Sequence, residues 1–405
     1  MCFILQTIVL GSTKTGYTIP IDEALKLSSY AAGVCYMKDD IESILNEDIE
    51  KTQRRIDLTL NSGHHSVYQH VHYTLVFRDI PKIVAMLINN EKPYTTSEKS
   101  ARYTKMKKIS EGERTLYEKW CSIFEELIKK EYPLLKDNHI KKLAMENARY
   151  VISVFTPTTM VYTTNLCQIN YLIEMLVKFI RENQEQYPGH PFFTKLNKQI
   201  IKFFETLKPF EVEGMNRKNK NVKLSLFNLR KAPENPTDYF DDVYSTYYWA
   251  SFAQLAQAQR HRTLHYMAFM DNLDAKNSTT RLYVPNLIKN TSYQDEWLED
   301  LISLPEDSYP QATEVLVNER GLYEHFILKC YERLCCQAQN EIMRQTKETF
   351  IKYKRSLELS NPEHKIHQDF PKIDLDNLSK VQLKTMWCTG SCNNFGRRYA
   401  LNRKA

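Results

Sequence analysis

Gln257-Ala258-Gln259-Arg260-His261-Arg262 in the second half of the chain, and Ser97-Glu98-Lys99-Ser100-Ala101-Arg102-Tyr103 in the first, are the stretches on which the fold assignment turns. The triplet Arg260-His261-Arg262 sets two guanidiniums about an imidazole, a planar donor cluster suited to phosphate and to an electron-rich ring. The Ser-small-Arg turn at Ser100-Ala101-Arg102 offers a hydroxyl, backbone N–H groups and a fork of donors, which suit a phosphate monoester. The plain alternatives are a solvated basic stretch or arginines paired with neighbouring acids. If Tyr248–Gln259 is helical, Gln257 lies one turn before Arg260 on the same face.

Around these stretches lie 405 residues, enough for two domains and too many for one simple core. Hydrophobic residues make up 42% and charged residues 26%, the balance of a soluble globular protein. The apolar opening Met1 to Leu10 has no preceding basic residues and is too short to span a bilayer, so it is expected to be a buried strand and not a signal peptide. No other segment approaches spanning length, and a cytoplasmic protein is expected. The nine cysteines form no framework, and no His pair at finger spacing joins Cys335-Cys336 or Cys388 and Cys392, so reduced thiols are expected. His64, His65, His70 and His72 are close in sequence, but no carboxylate or thiol completes a ligand set, so no metal is expected. A net charge of +6 spread over this length suits small anionic ligands at least as well as nucleic acid. The basic residues form no continuous aromatic-basic stripe, which argues against RNA binding.

The clearest change of character runs from Glu213 to Lys223, polar and basic without apolar periodicity. Beyond it Val222-Lys223-Leu224-Ser225-Leu226-Phe227 alternates as a half-buried strand does, much as Phe3 to Leu10 opens the first half. His72 to Arg78 also reads as a strand. Helical spacing is present in Ile41–Leu60, Trp120–Glu131, Asn165–Glu182 and Leu322–Tyr353. The expectation is an α+β protein of two tandem domains, 1–215 and 222–405, each a modest sheet packed with long helices.

These residues resemble the flavin-dependent thymidylate synthases, the ThyX family. That family carries a Gly-His-x-Ser element, then Arg-His-Arg, seven residues, and a Ser-x-Arg-Tyr turn. The first half has Gly63-His64-His65-Ser66 and Ser100-Ala101-Arg102-Tyr103, but the spacing puts Asn90-Glu91-Lys92 where the cationic triplet belongs. The second half reverses this. Arg260-His261-Arg262 is present with Gln257 ahead of it, while seven residues on stands Met270, and Pro233-Glu234-Asn235-Pro236 replaces Gly-His-x-Ser. Thr280-Arg281-Leu282-Tyr283 resembles a displaced remnant of the turn. Asn318-Glu319-Arg320-Gly321-Leu322 resembles the family's Asn-x-Arg-Ser-Leu, with several extra residues before the next shared element. Arg333-Leu334-Cys335-Cys336-Gln337-Ala338-Gln339-Asn340-Glu341-Ile342 matches Arg-Leu-Cys-x-x-Ala-Gln-x-Glu-Ile.

The resemblance implies an active site assembled at a seam, so a tandem chain keeps one complete set with each part in one copy only. It implies that Ser100, Ala101, Arg102, Gln257, Arg260 and Arg333 hold dUMP, with Arg333 the catalytic residue. It places His64, Arg260, His261, Arg262, Asn318 and Arg320 at FAD. The implied reaction is reductive methylation of dUMP to dTMP, with methylenetetrahydrofolate giving the carbon and NADPH reducing the flavin. A homodimer acting as a pseudo-tetramer of domains is expected, with the site within or between chains. The alternatives are an inactive nucleotide-binding or scaffold relative, or methylation of another pyrimidine nucleotide.

Overall fold

A computed structural model of the chain describes residues 6–12, 19–35, 41–102, 104, 108–215, 226–271, 273, 280–371, 373–379, 382–383, 395 and 400–405. Its first elements are β1 (Gln6–Ser12), α1 (Ile21–Val34), α2 (Glu42–Leu45), α3 (Ile49–Ser62), β2 (His72–Pro81), α4 (Lys82–Ile88) and β3 (Thr95–Glu98). Two long helices follow, α5 (Glu111–Glu131) and α6 (Asp137–Ala148), then β4 (Pro157–Asn165), α7 (Leu166–Gln186) and α8 (Pro191–Leu207). The second half holds β5 (Phe227–Asn228), β6 (Val243–Ser251), α9 (Phe252–Ala258), β7 (His265–Phe269) and α10 (Tyr293–Ser303). It continues with β8 (Glu314–Leu322), α11 (Tyr323–Arg333), α12 (Asn340–Ser360) and α13 (Lys365–Asp369). The protein is α+β, as expected.

These elements gather into two compact units, one of Met1–Lys99 with Pro157–Ser225, the other of Ser100–Thr156 with Leu226–Ala405. The units therefore do not coincide with sequence halves divided near residue 215. Residues 100–156, with α5 and α6, pack within the unit that holds the second half.

In the first unit the sheet runs β1-β2-β4-β3, antiparallel throughout. Alternation along β2 buries Tyr73, Leu75 and Phe77 on one face. Phe77 meets Phe203 of α8 edge-on at 5.0 Å, and Tyr94 stacks on Tyr162 of β4 at 5.2 Å. The α7 helix starts where Asn165 Oδ1 accepts the Gln168 N–H at 2.7 Å.

The second unit has a sheet of order β5-β7-β8-β6, with β5 parallel to β7 and the other pairs antiparallel. A capping box of Ser110 and Glu113 starts α5. Further along α5, Trp120 packs edge-on against Trp297 of α10 at 4.8 Å and donates its indole N–H to Asp300 at 2.8 Å. Tyr150, Ile152 and Ala253 belong to the same buried cluster. This joint core is why residues 100–156 belong here.

Apart from α5 and α6 between β3 and β4, and α10 between β7 and β8, the path β2–α4–β3–β4–α7–α8 and the path β6–α9–β7–β8–α11–α12 have the same element types in the same order. The spatial order also agrees, β2-β4-β3 in one sheet and β6-β8-β7 in the other. The flanking strand differs, β1 beside β2 and β5 beside β7.

Three sequence expectations shift. Ile41–Leu60 is two helices, interrupted between Leu45 and Ile49. Leu322–Tyr353 is also two, α11 and α12, with 334–339 between them. Tyr248 to Ser251 is strand, so the helix before the cationic triplet starts at Phe252. Aromatic Tyr247, Tyr248 and Trp249 favour the pleated sheet, and Ser251 then caps the helix through the Gln254 N–H. Of the two opening strands, Gln6–Ser12 and Phe227–Asn228 are described; Phe3 to Leu5 and Val222 to Ser225 lie outside the described residues.

Candidate functional site

The second unit brings residues of both sequence halves to one place. Ser100 ends the chain's exit from β3, and its Oγ accepts the Arg102 N–H at 3.2 Å, which closes the turn through Ala101. Arg102 then donates from Nε to Glu146 of α6 at 2.5 Å and from a terminal nitrogen to the Gln337 carbonyl at 2.7 Å. The turn is thus pinned to α6 and to the connection between α11 and α12. Tyr103 lies outside the described residues.

Further along that connection, Gln257 of α9 donates to Gln339 Oε1, which also accepts from Arg149 at 2.5 Å. Gln339 passes its own N–H to the Tyr150 hydroxyl, and Tyr150 donates to Glu341 at 2.6 Å. Glu341 closes the chain on Ser251, accepting from its N–H at 2.9 Å and from its hydroxyl at 2.7 Å. A continuous relay therefore joins the α9 cap to Gln257. Burial pushes the Glu341 carboxyl up to about 7, against the lowering effect of the Tyr150 and Ser251 donors.

Arg260 and His261 follow α9, with the His261 N–H bonded to the Ala258 carbonyl. Arg333, the last residue of α11, donates from Nε to His261 Nε2 at 2.6 Å. That bond requires a neutral imidazole with its proton on Nδ1. Burial holds His261 well below the usual histidine range, and the Arg333 and Lys329 charges act in the same direction. Burial also lowers Arg333, which feels Glu332 and Tyr266 in opposition and the charges of Arg102 and Arg260 in support. The Arg102 and Arg260 guanidiniums therefore both act on Arg333 within this unit, and Arg333 keeps only 16% of its side-chain surface. Among the described acids, Glu146 and Glu332 offset them in part.

Behind the cluster lies a buried polar network that motif reading misses. Lys329 and Glu319 form a fully buried ion pair at 2.6 Å. Glu319 also accepts from Tyr244 at 2.8 Å and Tyr248 at 2.6 Å, and Lys329 donates to Gln345 at 2.8 Å. Their partnership satisfies charges that burial alone would make costly. The signal available in sequence was a lysine on the apolar stripe of a helix.

Other expected residues are placed differently. Arg262 is exposed just beyond His261. Asn318 is buried in β8, its amide given to Ser245 Oγ at 2.8 Å and the Thr246 carbonyl at 3.3 Å. Arg320 is half-buried on the same strand, two residues along. His64 is exposed in the first unit, after Gly63 ends α3 in the left-handed conformation at φ 76°. The Gly63 of this element thus has a backbone role. Cys388 and Cys392 lie outside the described residues.

In the first unit, the position matching the triplet is occupied differently. Glu91 is fully buried, accepting from Tyr171 of α7 at 2.7 Å, while the Glu91 carbonyl accepts from Gln168 at 2.7 Å. A buried carboxyl at that point offers an anion no cationic donor. Glu91 follows the start of α4 by the same nine residues that separate His261 from the start of α9.

Residues 17–179 match the family described as thymidylate synthase complementing protein. The match spans 163 of the 405 residues, and over that stretch the chain is similar to the family. The thymidylate synthase match includes Gly63–Ser66 and Ser100–Arg102 and ends before Gln257, Arg260 and Arg333. Among solved structures, thymidylate synthase X from Helicobacter pylori with FAD and dUMP is 17% identical, covering 52% of this chain and 94% of its own, at a TM-score of 0.31. The UMP/dUMP methylase PolB from Streptomyces cacaoi bound with 5-Br dUMP is 19% identical, covering 42% and 76%, at a TM-score of 0.26. At those values neither likeness bears on the chemistry of this chain. No curated protein matches the sequence. No described helix is long and apolar enough to cross a membrane.

Proposed function

We propose that the second unit binds a pyrimidine nucleoside monophosphate, dUMP, and that the protein is a flavin-dependent thymidylate synthase built from two tandem copies of the family's domain. The observation that carries this reading is the meeting of Arg102 with Arg260 and Arg333 in one unit, around a partly buried Arg333. Clustered guanidiniums with few acids are stabilised by an anion, and a phosphate monoester suits their forked donors. Ser100, Ala101 and Arg102 would take the phosphate. Gln257, Arg260 and Arg333 would take the base, where a cation stabilises negative charge developing on an activated uracil ring. His261, neutral and held by Arg333, positions that guanidinium.

FAD, when bound, supplies the hydride, with NADPH as reductant and methylenetetrahydrofolate as carbon donor. The donor set of the second unit fits a phosphate-bearing cofactor through Arg260 and Arg262, with Arg320 in the same unit; His64 belongs to the first unit. Asn318 fits less well because its amide is already spent inside the sheet. That observation favours a second reading, a nucleotide-binding relative without flavin. The repeated strand order supports the duplication, and four family domains in a homodimer would give two intact sites and two closed by Glu91. Light scattering at twice the chain mass supports that assembly; a stable, active monomer contradicts it.

The absorption spectrum of the purified protein separates the two readings. Near-stoichiometric flavin is expected, reduced several-fold in Arg260→Ala and unchanged in Lys92→Ala. Equal losses in the two variants would sink the asymmetric site, and dUMP binding without any flavin would favour the non-catalytic relative.

A further inference from the structure

A second cationic cleft lies against α12, built from residues that take no part in the cluster around Arg333. It has a volume of about 320 Å³ and is lined by Asn286, Arg344, Lys347, Glu348 and the segment around Arg403. Arg344 and Lys347 are three residues apart on α12 and so share a face. Arg403 is 2% exposed. One terminal nitrogen of its guanidinium donates to the Ala338 carbonyl, and the group lies 5.4 Å from the Phe395 ring centre. Its Nε and its other terminal nitrogen are buried without any hydrogen-bond partner.

A buried guanidinium with two unused donors is costly unless something accepts them. No carboxylate among the described residues pairs with Arg403. The Lys347 ammonium donates to the Asn402 side chain at 2.5 Å, a neutral partner. Burial lowers Lys347, the neighbouring Arg344 charge lowers it further, and only Glu348 opposes. Three cations against one carboxylate leave two positive charges facing the cleft among its described lining residues. The volume is at the lower end of small-ligand pockets.

We propose that this cleft is a second anion site, which takes a dianionic phosphate group on Arg344, Lys347 and Arg403. Planar guanidiniums accept two phosphate oxygens at once, and Lys347 adds a point charge. Free phosphate and a small phosphate ester share this chemistry, so both serve as probes. The full-length protein is titrated calorimetrically with inorganic phosphate and with glycerol 3-phosphate, in an Arg102→Ala background that weakens the nucleotide cluster's hold on phosphate. Binding of at least one probe is expected there. Arg344→Gln with Lys347→Gln, both at partly exposed positions, should weaken it about ten-fold or more, as loss of charged hydrogen bonds does. Glu348→Gln should tighten it a few-fold, a gain that a merely structural role would not produce. Tighter binding of the ester marks a ligand that carries more than phosphate, and equal binding marks phosphate itself. Absence of binding by both probes, unchanged affinity in the double variant, or weaker binding in Glu348→Gln would overturn the proposal. If Arg403→Gln fails to fold, the double variant and Glu348→Gln still decide.

Discussion

Glu341 and His261 are buried within the same unit and place opposite demands on pH. Glu341 has a folded value of about 7 against an ordinary value of 4.5, so the folded state keeps its proton longer than the unfolded chain. Its contribution is therefore fully present below the unfolded value and lost as pH rises through about 7. His261 is held below 6.5, so its contribution is present above that value and lost as pH falls. Glu341→Gln should lose the alkaline part of this profile. Between pH 5 and 8 its unfolding free energy should decline less than that of the parent, by up to about 3 kcal/mol. Denaturant unfolding at the two pH values checks this, and identical slopes in the two proteins would refute it. At this scale the sequence exposed Arg102, Arg260 and Arg333 because each stands in a spaced motif. Glu146, Arg149 and Tyr150 had no such mark. Their roles come from contacts with residues far away in the chain, such as the bond from Arg149 to Gln339.

At the scale of elements, period was a better guide than boundary. His72–Arg78 alternates between core and solvent and forms β2, and Asn165 caps α7 through its side chain. The stretch from Leu322 to Tyr353 keeps helical spacing across a break because α11 and α12 both turn an apolar face to the core. Buried Leu334, Cys335, Cys336 and Ala338 continue that apolar content through the connection, and neither Gly nor Pro marks it. The break has consequences for the site, since it frees the Gln337 carbonyl for Arg102 and the Gln339 side chain for Gln257. The error at Tyr248–Ser251 had the opposite source. Helical spacing was carried backwards from α9 into a strand whose aromatic residues pair across to β8, Tyr248 opposite Val317 and Trp249 opposite Leu316.

At the scale of the whole molecule, the motifs implied a division of labour between halves, and the fold adds a route for it. Residues 100–156 leave the first half in sequence and pack with the second in space, carrying Ser100, Ala101 and Arg102 with them. Sequence could not show this, because the packing of Trp120 on Trp297 and of Tyr150 near Ala253 joins positions more than a hundred residues apart. The central claim is that Arg102 and Arg333 hold the same nucleotide. Its most direct test is a double-mutant cycle, with dUMP titrated into the parent, Arg102→Ala, Arg333→Ala and the double variant. Arg102→Lys serves as a companion that keeps a charge beside Glu146 but loses the forked donors. Each alanine variant should weaken dUMP by about ten- to a hundred-fold, the cost of a charged hydrogen bond, and Arg102→Lys should also weaken it. The combined loss should depart from the sum of the two, as it does for residues acting on one ligand. Unchanged affinity in either alanine variant, or strict additivity between them, would contradict a shared site.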